Sequence, residues 1–261
     1  MTQIKPLNDE FRLKVYSLDK PELCDLSSDL MMYPHKIERN KDGDMELVYR
    51  VVGGGSTLRE FITKLHTTRT PMRFSFRKEK HLNPLDLLKS LILLYDELLS
   101  SNKITSQSFI NPDLIWITSD HRMKVIYTWD LEPITDRITS IYWSPELLGK
   151  HTQLMYANMN NGIQKQLTLT RYDTRPSTMS CVYSLGLVFY FMIMGHDPYD
   201  GHRIHVYDRP TMTLMNPIYG RLIWNATTSD VKQRPTMKEW REMVHGTFER
   251  SIKYSARLLC C

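Results

Sequence analysis

An apolar run over residues 182–194 limits the possible folds of this chain more than any other feature. The run is too short to cross a membrane as a helix, which takes about 20 apolar residues. It therefore predicts a helix that is buried inside a folded protein. A chain of 261 residues can form that interior as one large domain or as two small lobes that share a core.

Composition and charge narrow the class of protein. Hydrophobic residues make up 41% of the chain and charged residues 24%, which argues against disorder along the whole chain. The net charge of +5 is small and the basic group at 73–80 predicts a solvated loop, so no nucleic-acid partner is expected. The N-terminus lacks the apolar core of a signal peptide, and the cysteines show no disulfide or metal spacing. A reducing, cytoplasmic location is therefore expected.

The first fifty residues predict mainly strands. Residues 12–16 predict a short strand, and residues 21–32 have the composition of a helix. Strand-forming residues at 35–39 and 45–52 flank a turn at 40–44 that contains Asp-Gly. This order is typical of a β-hairpin.

Three glycines at 53–55 separate the predicted hairpin from a predicted helix. They lack the lysine and the spacing of a P-loop, so they predict a flexible hinge and not a phosphate site. Thr57 and Glu60 have the spacing of a capping box, which predicts that a helix begins there.

The middle of the chain predicts one long helix and two short strands. Leucines recur over residues 84–101 at the spacing of a strongly apolar helix. Residues 114–117 and 123–127 predict strands. The segment at about 149–176 is polar and is expected to be an exposed insertion.

Three motifs follow one another at 142–148, 181–199 and 222–240. They resemble, in order, the Ala-Pro-Glu motif, the central helix with its Gly-x-x-Pro-Phe turn, and the helix pair with the Arg-Pro-Thr signature of eukaryotic protein kinases. Residues 45–62 are similar to the strand, hinge and first helix that line the adenine pocket of that family. The resemblance covers roughly residues 33–250.

The resemblance implies an α+β, protein kinase-like fold with a helical C-lobe and a truncated N-lobe of a few antiparallel strands. It places the abbreviated N-lobe at 1–52, the C-lobe at 53–250 and a C-terminal tail at 251–261. It also implies a structural ion pair between Glu146 of the first motif and Arg234 of the last.

The groups that a kinase uses for phosphoryl transfer are missing at the positions that the resemblance assigns to them. Alignment on Pro112 puts residues 107–109 in place of His-Arg-Asp, so Phe109 stands where a proton acceptor is needed. Leu114 and Tyr127 stand where the family has its magnesium ligands. No catalytic, metal-binding or cofactor-binding residue is therefore expected, and no cofactor.

Neighbouring charged residues do not restore this chemistry. Asp113 lies on the wrong side of the proline, and Asp130 comes three residues too late. Lys5 or Lys14 would have to replace the strand lysine and Glu22 its helix partner, but solvated surface charges are the favoured interpretation of all three.

Cysteines and histidines offer the remaining candidate sites. Cys181 stands where active kinases carry an aspartate that holds the catalytic loop. His202 and His205 have no third ligand at a convincing spacing, so no metal site is expected. Cys260 and Cys261 resemble a double lipidation signal, against the alternative of two incidental thiols in a frayed tail.

The sequence thus predicts a catalytically inactive kinase-like protein, a pseudokinase, that acts as a scaffold or allosteric regulator. The expected partner is another protein, with a kinase and a larger assembly as two examples. Two alternatives stay open: a structural subunit tethered to a membrane through its lipidated tail, and an atypical transferase that uses ATP.

Overall fold

The chain combines two small sheets with a group of helices, which is an α+β fold. The structure is a computed structural model that describes residues 10–15, 28–51, 53–67, 83–103, 110–128, 139–147, 177–201, 209–211 and 215–247. The expected insertion at 149–176 and the tail at 251–261 lie outside these residues.

The first sheet has three antiparallel strands: β1 (Glu10–Val15), β3 (Pro34–Arg39) and β4 (Met45–Arg50), with β4 in the middle. The predicted hairpin is confirmed as β3 and β4. Its turn forms because the Asn40 side chain accepts hydrogen bonds from the backbone N–H groups of Asp42 and Asp44, at 3.0 and 2.9 Å.

The second sheet has the strand order β2-β7-β6-β5. Its strands are β2 (Met31–Met32), β5 (Ser56–Thr57), β6 (Ile115–Ile117) and β7 (Met123–Ile126). The strands predicted at 114–117 and 123–127 are thus confirmed. The helix predicted over 21–32 is wrong at its end, because Met31 and Met32 pair in parallel with β7; residues 21–27 lie outside the described part.

The main helices are α1 (Leu58–Thr67), α2 (Pro84–Ser100), α3 (Thr178–Met194), α4 (Pro217–Ala226) and α5 (237–247). Short 3₁₀ turns occur at Thr139–Tyr142, Pro198–Gly201 and Val231–Gln233. Helix α1 begins with the predicted capping box. The Thr57 N–H donates to the Glu60 carboxylate at 3.1 Å, and the Glu60 N–H donates to the Thr57 hydroxyl at 3.2 Å.

The predicted apolar helix is α3, and every residue from 180 to 193 is buried. It packs against α2 and α4. Gly186 permits the close approach to α4, since a Cβ atom at this position would lie 2.6 Å from the Cβ of Ala226. Helices α2 and α4 therefore cover two sides of the most apolar segment of the chain.

One connected core joins both sheets to the helices, from Leu13 in β1 to Val244 in α5. Strand β2 belongs to the second sheet although it precedes the expected lobe boundary at 52 and 53. In the described part of the chain, every helix falls short of the length and apolarity that crossing a bilayer requires.

Candidate functional site

The loop at 110–113, just before β6, is where the resemblance expects a catalytic loop. The buried side chain of Asn111 accepts hydrogen bonds from the backbone N–H groups of Asp113 at 2.9 Å and Leu114 at 3.2 Å. Such a side-chain turn fixes the backbone locally. Leu114 is fully buried, so this position faces the core and offers no group to a metal ion.

Arg59 of α1 holds the same loop from the other side. Its backbone N–H donates to the Pro112 carbonyl at 3.1 Å. Its Nε donates to Oδ1 of Asp113 at 2.7 Å, and its Nη1 donates to Oδ1 of Asp197 at 2.7 Å. The Arg59 side chain is only 6% exposed, so this is a buried cation between two carboxylates.

Tyr142 and Phe191 complete the surroundings of Arg59. The Tyr142 hydroxyl donates to Oδ1 of Asp197 at 2.6 Å, and the guanidinium of Arg59 lies 4.7 Å from the centre of the Phe191 ring. Burial lowers the pKa of Arg59, but the acidic neighbours outweigh it and leave that pKa above its ordinary value. Burial also raises the pKa of Tyr142 well above its ordinary value, so the phenol stays protonated as a donor.

This four-residue cluster of Arg59, Asp113, Tyr142 and Asp197 could not be identified from the sequence. Its members come from α1, the loop before β6, a 3₁₀ turn and the turn after α3. Tyr142 and Asp197 lie in the motifs at 142–148 and 181–199, but the resemblance pairs neither of them with Arg59. One weak signal exists: Arg59 lies between the buried residues Leu58 and Ile62, on the inner side of an amphipathic helix.

Tyr127 lies at the end of β7, where the resemblance expects the Asp-Phe-Gly motif to begin. Its backbone N–H donates to the Met32 carbonyl at 2.9 Å, and its carbonyl accepts the hydroxyl of Tyr49 at 2.7 Å. Its ring lies 5.1 Å from that of Tyr33. Tyr127 thus joins the two sheets through backbone bonds and ring packing.

Aromatic rings also fill the contact between β1, β4 and β6. The Phe11 ring lies 5.0 Å from the Trp116 ring and 5.7 Å from the Tyr49 ring. Gly55 packs against the same aromatic cluster, because a Cβ atom there would lie 2.6 Å from Nε1 of Trp116 and would collide with the Ile117 carbonyl. The strand and hinge that resemble an adenine-pocket lining therefore pack on aromatic side chains.

Lys14, a candidate for the strand lysine, lies on the outer face of β1. Its neighbours Leu13 and Val15 are buried, while the Lys14 side chain is 43% exposed and its Nζ lies 3.3 Å from Oδ2 of Asp44. The other two N-lobe candidates, Lys5 and Glu22, lie outside the described residues.

Glu146 and Arg234 meet in a two-pronged ion pair. Nη1 of Arg234 donates to Oε1 of Glu146 at 2.9 Å, and Nη2 donates to Oε2 at 3.1 Å. The Ser180 hydroxyl donates to the same Oε1 at 2.8 Å. Burial raises the pKa of Glu146, but the hydrogen bonds and charge of Arg234 outweigh it and hold that pKa below its ordinary value.

Cys181 lies in the first turn of α3 and is fully buried. Burial raises the pKa of its thiol well above the ordinary value, so it remains a neutral packing group. In the described part of the chain, no group of three or more potential ligands could hold a metal ion. Several predicted positions lie outside that part: Phe109, Asp130, His202, His205, Cys260 and Cys261.

Comparison of the chain with protein-family models and with curated proteins finds no match.

Proposed function

We propose that this chain has a protein kinase-like fold without phosphoryl-transfer activity and that it acts by binding another protein. The kinase-like fold is inferred from the sequence resemblance, that is, from the order of three motifs at 142–148, 181–199 and 222–240. The Glu146–Arg234 pair supports it, because this pair ties the first of these motifs to the last.

The engagement of Asp113 by Arg59 carries the proposal that the chain is inactive. Asp113 is the described carboxylate nearest in sequence to the expected catalytic base. Its Oδ1 accepts the Nε–H of a buried guanidinium at 2.7 Å. A general base must instead reach the proton of a substrate hydroxyl. The side chain of the adjacent Leu114 is buried and carries no oxygen that could bind magnesium.

The packing of Phe11 on Trp116 supports the absence of nucleotide binding. An adenine ring needs an open slot between the strands and the floor below them, and here the two rings lie 5.0 Å apart. Opening a slot would expose apolar surface at a cost of about 25 cal/mol per Å². The groups kept by the chain serve packing, and the groups it lacks serve catalysis.

Purified full-length chain should be incubated with magnesium and ATP carrying a labelled γ-phosphate, with a general protein substrate. We expect no labelled product and no rise in melting temperature on addition of magnesium-ATP. Asp113→Asn serves as the paired variant, and it should behave like the unmodified chain in both assays. Transfer of label that is abolished by Asp113→Asn would overturn the proposal.

A further inference from the structure

The outer face of α4 is unusually apolar and aromatic for an exposed surface. Trp224 is 53% exposed and Ile218 is 42% exposed, and they are two of the three large hydrophobic residues exposed in the described part of the chain. Scattered single apolar residues are normal on a surface, but two on one short helix form a local patch. We call the outer residues Pro217, Ile218, Arg221 and Trp224, together with Arg209, the α4 face.

The inner side of α4 already supplies the contacts that hold the helix in place. Leu222, Ile223 and Ala226 are buried, and Ala226 packs against Gly186 of α3. The indole N–H of Trp240 donates to the Leu222 carbonyl at 3.2 Å. Folding therefore does not require a tryptophan on the opposite side.

Arg209 is stacked on the exposed tryptophan. The centre of its guanidinium lies 3.8 Å from the centre of the Trp224 ring. This stacking holds the guanidinium in one orientation. Its Nη1 is buried and has no hydrogen-bond partner, so the cation is fixed without an acceptor at that atom.

The charge of the α4 face is positive. Arg221 is the one charged residue within α4, and it is exposed. Among the described residues, Arg221 forms no ion pair. Within the described part of the chain, Arg209 and Arg221 thus place two guanidinium groups beside an apolar surface, and neither forms an ion pair there.

We infer that the α4 face is a docking surface for a protein segment that places acidic side chains beside an apolar anchor residue. This inference rests on the proposal that the chain acts by binding another protein. Trp and Arg are the side chains most enriched among residues that dominate binding energy at interfaces. A carboxylate can take two hydrogen bonds from one guanidinium, while the apolar anchor covers Ile218 and Trp224.

The test uses two synthetic peptides of about 15 residues, near the length at which an isolated helix becomes stable. Both peptides carry the same leucines and phenylalanine on one helix face. The other face carries glutamates in the first peptide and lysines in the second. Each is labelled with fluorescein and titrated with the full-length chain, and anisotropy gives the Kd. The variants are Trp224→Ala and Arg221→Glu, and melting temperature checks their folding. The matched control is Leu93→Ala, which removes an exposed leucine from α2.

We expect the glutamate peptide to bind at least about tenfold more tightly than the lysine peptide. Trp224→Ala should weaken its binding by about tenfold or more, and Arg221→Glu should remove the preference for glutamate. Leu93→Ala should leave the Kd unchanged. Equal affinity for the two peptides, or an unchanged Kd for Trp224→Ala, would overturn the inference.

One further measurement tests whether the α4 face binds another class of ligand. A second one distinguishes failure of the docking inference from failure of the proposed function. If a single-stranded RNA or an anionic phospholipid vesicle binds more tightly than the glutamate peptide and loses binding in Trp224→Ala, the face serves that class and the inference fails. Phosphoryl transfer in the assay above would overturn the proposed function while leaving the peptide result in place. Absence of transfer together with equal peptide affinities would overturn the docking surface alone.

Discussion

Arg234 is a buried cation, and each nitrogen of its guanidinium has acceptors. Besides Glu146, it donates to the backbone carbonyls of Thr228 at 2.9 Å and Met179 at 3.0 Å. Its side chain has no exposed area and that of Glu146 is 26% exposed, so removing the carboxylate would leave a largely buried charge without its ionic partner. Loss of Glu146 should therefore be costly.

Glu146→Ala is expected to lower the free energy of unfolding by about 3–5 kcal/mol, because it leaves a buried charge unpaired. Urea unfolding followed by circular dichroism measures this change. The control is Arg122→Ala, which breaks an ion pair with Asp120 whose side chains are 75% and 56% exposed. That change should leave the free energy of unfolding nearly unchanged, because both side chains lie largely in water. Similar losses for the two variants would contradict the role assigned to the Glu146–Arg234 pair.

The ionisation of Glu146 also predicts a pH dependence. Its pKa in the folded chain lies below the ordinary value, so the charged form contributes stability above that ordinary value. This contribution is lost as the pH falls through the folded pKa. Glu146→Gln has no such charge, so its deficit in unfolding free energy should be largest at neutral pH. The deficit should shrink below about pH 4.3, the ordinary value for glutamate. Urea unfolding of both chains across this range tests it, and a deficit that grows in acid would contradict it.

Arg234 and Arg59 differ in how far the sequence predicts their partners. The resemblance pairs Arg234 with Glu146, and the structure brings these two side chains together. Arg59 was missed because its carboxylate partners, Asp113 and Asp197, lie in two separate loops. Such contacts depend on the packing of whole elements, which local spacing does not encode.

Helices α3 and α4 approach each other closely at one glycine, which predicts opposite effects for two similar substitutions. Gly186→Ala would put its Cβ 2.6 Å from that of Ala226, and overpacking of this kind costs about 1–3 kcal/mol. Gly220→Ala, in α4, meets nothing nearer than Sδ of Met215 at 4.0 Å. It should stabilise the chain by up to about 1 kcal/mol, since alanine favours the helix. Melting temperatures should fall for the first variant and rise for the second; a rise for Gly186→Ala would show that α3 and α4 are not in this contact.

Strong periodicity explains which elements the sequence predicts well. The leucines of α2 and the apolar run of α3 form helices at the expected places, and the Asp-Gly turn joins β3 to β4. Met31 and Met32 were wrongly included in a helix, because their strand exists only through backbone bonds to β7. The N–H of Val125 donates to the Leu30 carbonyl at 2.8 Å, a contact with a residue far along the chain.

At the scale of the whole molecule, one continuous core extends across the lobe boundary that was expected between residues 52 and 53. Strand β2 completes the second sheet, Phe11 packs on Trp116, and Tyr49 donates to the Tyr127 carbonyl. Each of these contacts joins a residue before the boundary to a residue after it. The two parts should therefore unfold together, whatever their resemblance to separate lobes.

A fragment of residues 53–261 tests this continuity. The fragment lacks β1 to β4. Its second sheet therefore loses β2, which pairs with β7, and Trp116 loses its contact with the Phe11 ring. We expect the full-length chain to show one urea transition that coincides by tryptophan fluorescence and circular dichroism. The fragment should show no cooperative transition. A full-length chain cleaved at a protease site inserted between Gly53 and Gly54 is the control. It should keep a single transition, because both pieces remain and the core still joins them. A fragment that unfolds cooperatively at the midpoint of the full-length chain would mean that residues before the boundary are not needed for the core.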